Sequence, residues 1–178
     1  MASYTIRQAT DSDLDRLVEL SLALREHVEA SNPRLWRLAP EGVARLRQEI
    51  EETLSNPDAL LLVAVGPDDR PLGMATGQIR TRPGHVPSLS GYIARVFVEP
   101  ACRGQGLASA LVEGLCTFFA ERDVQDLSLG WVLGNREAED YWTGLGFLPI
   151  IVLADATRHD VEAKLAAIRS RRSTDGSL

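Results

Sequence analysis

The sequence predicts a mixed α/β domain whose elements follow the order β-α-α-β-β-β-α-β-α-β. Two observations carry this prediction. Apolar runs with the length of strands, as at residues 59–65 and 147–153, are bounded by proline, glycine and aspartate. Other segments place apolar residues three and four positions apart, as at residues 14–28 and 43–54, which is typical of amphipathic helices. Strands and helices that alternate along the chain pack together in layers as one α/β domain.

The first half of the chain is predicted to contain three strands and two helices. Residues 4–8 alternate apolar and polar side chains, as a short strand does, and Thr10 is a plausible cap for a helix that runs to about residue 30. Two prolines separate this helix from the second one. Residues 59–65 form a continuous apolar run, typical of a strand covered on both faces, and residues 72–80 pair back with it as a hairpin.

The second half is predicted to complete the sheet and to add a C-terminal helix. We expect residues 1–154 to form one domain and residues 155–178 to form a helical extension with a frayed end. The elements expected before that extension are a loop at 81–91, a strand near 92–98, a helix to about 122, a strand at 126–132, a short helix capped by Asn135 and a strand at 147–153 that closes the sheet.

Composition limits the classes of function. The 178 residues contain 44% hydrophobic and 25% charged side chains, which is typical of a globular protein. A formal net charge of −6 argues against a nucleic-acid coat, which needs a basic face. The apolar runs fall short of a membrane helix, and the N-terminus does not resemble a signal peptide. Two cysteines without zinc-type spacing predict no metal site, so we expect a cytoplasmic protein with no membrane or nucleic-acid partner.

The most informative stretch, residues 94–115, passes from a strand through glycines and an arginine into a helix. The first turn of a helix has backbone N–H groups without intrahelical partners, and the helix dipole adds partial positive charge, so an anion is favoured there. Gly104 and Gly106 let the backbone approach that anion, and Arg103 adds a cationic donor fork. The stretch is interpreted as a pyrophosphate cradle. A plain helix start with a solvated arginine stays open as the alternative, because short glycine motifs are weak signals.

Two common nucleotide motifs fit this stretch poorly. A phosphate loop ends in glycine, lysine and then serine or threonine, and the sequence contains no such string. A dinucleotide fingerprint needs a third glycine or alanine where Ser109 stands, and it lies early in a βαβ fold, whereas this stretch follows half of the chain. A nucleotide-dependent enzyme is therefore disfavoured.

Two motifs together resemble the GNAT acetyltransferase superfamily, which binds acyl-CoA. They occur in the order seen in that family, and the resemblance covers about residues 3–153. It implies a GNAT-type mixed, mostly antiparallel central sheet flanked by helices. The first motif is a strand ending in Val-x-Pro followed by Arg-x-x-Gly-x-Ala, formed by Val98, Pro100, Arg103, Gly106 and Ala108. The second is Asn-x-x-Ala followed by an aromatic residue and Gly-Phe, formed by Asn135, Ala138, Trp142, Gly146 and Phe147.

The resemblance implies that acetyl-CoA binds in an opening between the strands at 92–98 and 126–132. Pantetheine would pair with the backbone of the first strand like an added strand. Asn135 would reach pantetheine from the other side, and Trp142 would lie near the thioester. The residues assigned to the cosubstrate in this way are Val96, Phe97 and Val98 on the strand, Arg103, Gly104, Gln105, Gly106, Leu107, Ala108 and Ser109 in the cradle, and Asn135 and Trp142 beyond it.

The catalytic acid and base are harder to assign, because the sequence departs from the family at two positions. Trp142 occupies the position where many members have a proton-donating tyrosine, and Tyr92 stands where a carboxylate often begins the first central strand. Tyr92 and Tyr141 are the proton-relay candidates; the alternatives are that both side chains only pack, and that water relays the proton. A thiol leaving group with a pKa of about 8.5 needs little acid assistance.

We therefore expect direct transfer of an acetyl group from acetyl-CoA to a primary amine of a small molecule or peptide. The rival hypothesis is a CoA-binding regulatory or sensing module without efficient catalysis, which the missing acid and base keep open. Glu26, His27, Glu29 and Trp36 are candidates for the acceptor side, with a solvated helix face or helix packing as the alternative. A homodimer is compatible with the resemblance and with the predicted C-terminal helix.

Overall fold

The structure, a computed structural model, describes residues 4–34 and 37–175, with side chains through residue 169. It divides into two compact units, Met1–Leu145 and Gly146–Leu178. The domain boundary expected after residue 154 stays a prediction. Trp36 and the last residues of the expected frayed end lie outside the described residues. Among the described residues, no helix is both long enough and apolar enough to span a membrane.

Most elements of the first unit lie where the sequence predicts them. One strand, β5, spans three residues, whereas the sequence predicts a strand over 126–132. The strands are β1 (Thr5–Gln8), β2 (Ala59–Val65), β3 (Pro71–Thr81), β4 (Leu89–Val98) and β5 (Leu127–Leu129), and the helices are α1 (Leu14–Ser31), α2 (Pro40–Ser55), α3 (Leu107–Ala120) and α4 (Arg136–Gly144). The second unit contains α5 (Arg158–Asp175).

The strands form one sheet in the order β1-β2-β3-β4-β5. The first three pairings are antiparallel and the last, between β4 and β5, is parallel, so the predicted mixed, mostly antiparallel sheet is confirmed. The ladder between β3 and β4 steps from the pair Thr76–Arg95 to the pair Gly77–Ile93. This step makes Ala94 the extra residue of a β-bulge, which bends β4 at its centre.

Helices cover both faces of the sheet. On one face, α1 and α2 pack against the sheet through a buried cluster that includes Leu20, Ile50, Met74 and Phe97. On the other face lies α3, so close that a Cβ on Gly77 would come within 2.9 Å of the ring of Phe119. Fully burying a side chain of this size stabilises the fold by about 1.5–3 kcal/mol. This packing fixes the start of α3 next to the end of β4.

The predicted closing strand at 147–153 is wrong, because residues 147–156 have no regular secondary structure. An apolar run fits a strand only where a neighbouring strand takes up its backbone groups and its side chains pack. Within the described residues the sheet ends with β5. The observed order therefore lacks the last strand, and the large apolar side chains of the run are exposed: Leu148, Ile150, Ile151, Val152 and Leu153.

The turn that leads into α1 is held by an ion pair between the buried carboxylate of Asp13 and the partly exposed Arg7. The Asp13 carboxylate accepts hydrogen bonds from Arg7 Nη1 at 2.7 Å, from Arg7 Nη2 at 2.9 Å and from the Thr10 amide at 2.9 Å. These bonds, the pair with Arg7 above all, hold the pKa of Asp13 below its usual value. Because the pKa is depressed in the folded state, the pair stabilises the fold above about pH 4, and that stability is lost as the pH falls through the folded-state pKa.

Replacing the buried carboxylate should therefore destabilise the protein in a pH-dependent way. We expect Asp13→Asn to lower the free energy of unfolding by about 1–3 kcal/mol at neutral pH, because Arg7 loses a charged hydrogen-bond partner. Urea unfolding near pH 7 and near pH 3 measures the effect, and the difference from wild type should shrink at the lower pH. Asp11→Asn, which changes an exposed carboxylate in the same turn, is the matched control. Equal losses in both variants would assign the effect to the helix dipole instead of the ion pair.

Candidate functional site

β4 and β5 pair over a short stretch and then separate. Their parallel ladder runs from the pair Gly91–Leu127 to the pair Ile93–Leu129, and it ends beside the bulge at Ala94. Both sides of the resulting gap line one cavity with a volume of about 680 Å³. The gap lies between the two strands where the resemblance predicts an opening. Its walls are residues 93–98 on the side of β4 and residues 129–132 on the side of β5.

The backbone of β4 offers hydrogen-bonding groups to this gap. In an antiparallel ladder, residues that exchange hydrogen bonds with the partner alternate with residues whose groups point away. The Glu99 amide donates to the Leu72 carbonyl at 2.9 Å. Two residues earlier, Phe97 therefore also faces β3, whereas the N–H and C=O groups of Val96 and Val98 face the gap. An extended ligand arm that carries amides can pair with them as an added strand.

The first turn of α3 lines the same cavity at the end of β4. Gly104 has a φ angle of 72° and Gly106 one of 86°, both in the left-handed region that favours glycine. Gly106 is the N-cap of α3, so the amides of the first turn have no partner within the helix. Together with the helix dipole, these N–H groups favour an anion at this end of the cavity.

Arg103 connects this cradle to both neighbouring elements. Its Nε donates to the Val98 carbonyl at 3.2 Å, and its Nη1 donates to Oε2 of Glu137 at 2.6 Å. His27 Nε2 lies 3.6 Å from the same carboxylate oxygen, which places His27 beside the cradle. An anionic ligand in the cradle would therefore compete with Glu137 for the guanidinium of Arg103.

Asn135 caps α4, as the sequence predicts. Its side-chain oxygen accepts a hydrogen bond from the Ala138 amide at 3.2 Å, so the Asn-x-x-Ala spacing is that of a helix cap. The side chain is buried and lines the cavity. The cap therefore holds the start of α4 against the gap.

Tyr141 and Trp142 both line the cavity from α4. Their rings meet edge to face with centroids 4.9 Å apart, and Trp142 is buried. The hydroxyl of Tyr141 is buried too, and among the described residues it has no hydrogen-bond partner. An unpaired buried hydroxyl costs about 1–3 kcal/mol, and among the described residues the hydroxyls of Thr76 and Ser90 are buried without a partner as well. Of the two relay candidates, Tyr141 is the one that lines the cavity, and a role for its hydroxyl stays a prediction.

Tyr92, the other relay candidate, lies elsewhere. It belongs to the paired part of β4, opposite Gln78, and the guanidinium carbon of Arg80 lies 3.3 Å from the centre of its ring. Tyr92 is not among the described residues that line the cavity. The structure brings one of the two tyrosines to the cavity and leaves the other in a cation–π pair.

The predicted cosubstrate residues converge on this cavity, and charged residues that the sequence does not reveal join them. Arg95 on β4 donates from Nη2 to Oε2 of Glu49 on α2 at 3.0 Å. The two residues lie 46 positions apart in the chain, so no local motif could indicate the pair. Of the predicted residues, Gln105 does not line the cavity; those that do are Val96, Phe97, Val98, Arg103, Gly104, Gly106, Leu107, Ala108, Ser109, Asn135 and Trp142. The charged residues that the sequence did not indicate are Arg25, Glu49, Arg95 and Glu137.

Comparisons with known proteins concern the domain that contains this cavity. A family model described as "Acetyltransferase (GNAT) family" matches residues 21–147, more than half of the chain. The structure of the aminoglycoside antibiotic 6'-N-acetyltransferase AAC(6')-IG from Acinetobacter haemolyticus is 22% identical, with a TM-score of 0.68 over 86% of this chain and 97% of that chain. A transcriptional regulator from Bacillus halodurans is 24% identical, with a TM-score of 0.67 over 87% and 99% of the two chains. The aminoglycoside N-acetyltransferase AAC(6')-Iy in complex with CoA is 19% identical, with a TM-score of 0.66 over 89% and 97%.

Proposed function

The chain belongs to the GNAT acetyltransferase family, and from that premise we propose that it transfers an acetyl group from acetyl-CoA to a primary amine of a small molecule or peptide. The supporting observation is the continuity of the cavity, which joins the open edge of β4 to the first turn of α3. Two neighbours of the same fold are aminoglycoside acetyltransferases, one of them in complex with CoA, which favours a small-molecule acceptor.

The residues of the cavity fit the parts of acetyl-CoA. The outward-facing N–H and C=O groups of Val96 suit the amides of the pantetheine arm. The glycines at φ angles of 72° and 86° leave room for pyrophosphate against the amides of α3. Arg103, released from Glu137, adds a bidentate cation for the same phosphates.

The remaining roles follow from what each group can hold or donate. Bound acetyl-CoA supplies a thioester that an amine attacks directly, with the CoA thiol as the leaving group. The N–H of Val98 faces the gap and can donate to an oxygen that becomes negative during the transfer. Tyr141 holds a proton at its buried hydroxyl. Two reactants held in one cavity in reactive orientation can gain up to about 7–11 kcal/mol from proximity.

A protein base is not assigned, for a reason visible in the lining. Among the described lining residues the carboxylates are Glu49 and Glu137, and each is paired with an arginine, at 3.0 Å and 2.6 Å. Glu137 gives up its partner when Arg103 binds phosphate, so the lining does not single out one base. His27 also lines the cavity, 3.6 Å from Glu137, and loss of the amine proton to water is the remaining route.

Calorimetric titration of acetyl-CoA, followed by detection of free thiol with a panel of amines, tests the proposal. We expect a dissociation constant of about micromolar, equivalent to about 8 kcal/mol, and thiol release that depends on the amine. Absence of binding up to millimolar acetyl-CoA would contradict the proposal and reduce the glycine stretch to a helix start.

A second candidate function is a CoA-binding regulatory or sensing module without efficient catalysis. Trp142, which has no titratable proton near neutral pH, favours it, because many family members have a tyrosine at that position. The same titration separates the two candidates, since tight binding of acetyl-CoA without thiol release for any amine would favour the module.

A further inference from the structure

Arg95 lies in the cavity and has no part in the roles proposed above. It is three residues before Val98 on β4, so its backbone is about 10 Å along the strand from the residue that Arg103 contacts. Its side chain lies on the same sheet face as that of Phe97, which α1 and α2 cover. The guanidinium is therefore separate from the pyrophosphate cradle and lies on the side of the cavity that the two N-terminal helices close.

A ligand can replace Glu49 as the partner of Arg95. Its described hydrogen-bond partner is Glu49, and Glu49 is 55% exposed whereas Arg95 is 25% exposed. Such a half-exposed ion pair contributes little to stability, because water screens it. Glu49 can turn into solvent, and a planar guanidinium with five N–H donors can then take a carboxylate in bidentate geometry.

The charges of the lining argue against a polycationic acceptor. On the side of α1 and α2 the described lining carboxylate, Glu49, is held by Arg95, and the lining arginine Arg25 pairs with Glu29 at 2.8 Å. An acceptor with several ammonium groups needs carboxylates that are free to bind them, and a nearby guanidinium repels it. The same lining suits an acceptor that carries one negative group.

Apolar side chains also line the cavity on the side of α1 and α2. They come from α1, from α2 and from the segment between them: Leu24, Val28, Leu38 and Leu46. An acceptor that fills this part of the cavity buries aliphatic or aromatic surface there, which is favourable at about 25 cal/mol per Å² of apolar area.

We propose that Arg95 is a specificity-determining residue that binds a carboxylate of the acceptor, so that the acceptor is an apolar amino acid or a similar amine with a carboxylate. The inference rests on the proposed function, because it concerns the second substrate of that reaction. Arg95 binds the acceptor and takes no part in the chemistry.

The test compares matched acceptors. Thiol release from acetyl-CoA is measured with apolar amino acids, each paired with its primary amide, and with kanamycin as a polyamine. We expect kcat/KM for the acids to exceed that for the amides by at least about tenfold. The difference in amine basicity works against this result. The amine of an amino-acid amide is less basic than the amine of the acid, so a larger fraction of it is neutral and able to attack the thioester.

Variants then assign the preference to Arg95. Arg95→Gln should raise KM for the acids at least about tenfold, leave kcat within about threefold and leave the amides unchanged, whereas Arg95→Lys should restore part of the loss. Arg47→Gln is the matched control, since it removes an arginine that is 46% exposed on α2 and lies outside the lining.

Each outcome decides one of the two proposals. Equal use of acids and amides by the wild-type protein, or a preference for kanamycin, would overturn the inference and leave the acetyltransferase proposal standing. A preference for acids that Arg95→Lys and Arg95→Gln both keep would overturn the role of Arg95. No thiol release with any amine would count against the proposed function itself, and the inference would fall with it.

Discussion

Tyr141→Phe is expected to lower kcat for acetyl transfer by about 10²-fold while the affinity for acetyl-CoA stays within about threefold. Tyr141 lines the cavity, and among the described residues its buried hydroxyl has no hydrogen-bond partner. Because an unpaired buried hydroxyl costs about 1–3 kcal/mol, its removal should leave the free energy of unfolding unchanged or raise it. A variant that folds as well as the wild type and turns over more slowly is the signature of a group retained for function.

Three measurements on Tyr141→Phe separate a role in proton transfer from a role in packing: steady-state thiol release, calorimetric titration of acetyl-CoA and urea unfolding. Tyr92→Phe is the matched control, because it removes the same hydroxyl from a tyrosine outside the cavity lining and keeps the ring over which Arg80 lies. We expect that control to keep kcat within about twofold. Full activity in both variants would mean that water carries the proton, and a fall in stability without a fall in kcat would make Tyr141 a packing residue.

The helices and the first four strands can be predicted because each is specified within its own segment. Asn135 illustrates this, since the cap expected from its position is present as a hydrogen bond to the Ala138 amide. The run at 147–153 shows the limit of such reasoning. It has the composition of a strand, yet a strand also needs a partner elsewhere in the chain, and local sequence does not contain that information.

The side of the cavity proposed for acetyl-CoA could be predicted in more detail than the side proposed for the acceptor, for a related reason. The proposed phosphate cradle is built from backbone, and backbone at positive φ leaves closely spaced glycines in the sequence, here Gly104 and Gly106. The proposed acceptor side is built from side chains that tertiary packing brings together, such as Arg95 and Glu49. Tyr141 belongs to the second class, because only the packing of α4 shows that this residue lines the cavity.

Ser109→Glu is expected to weaken binding of acetyl-CoA by roughly 10- to 100-fold and to leave thermal stability equal or higher. Ser109 is exposed in the first turn of α3 and lines the cavity. A carboxylate there interacts favourably with the helix dipole, by about 0.3–1 kcal/mol, so the helix itself should not suffer. The same charge repels pyrophosphate: two unit charges about 5 Å apart interact by about 3 kcal/mol at an effective dielectric constant of about 20.

Calorimetric titration and thermal unfolding of Ser109→Glu and Ser109→Gln distinguish charge from bulk, because glutamine has nearly the same shape without the charge. Substitution of a cradle glycine would not make this distinction, since any side chain at a φ angle of 86° strains the backbone. Added salt should recover part of the affinity lost by Ser109→Glu, because exposed charges are screened. Equal losses in both variants would indicate steric exclusion. Unchanged affinity in both would mean that the first turn of α3 does not face the phosphates, and Arg103 would then serve to link Val98 and Glu137 beside an ordinary helix start.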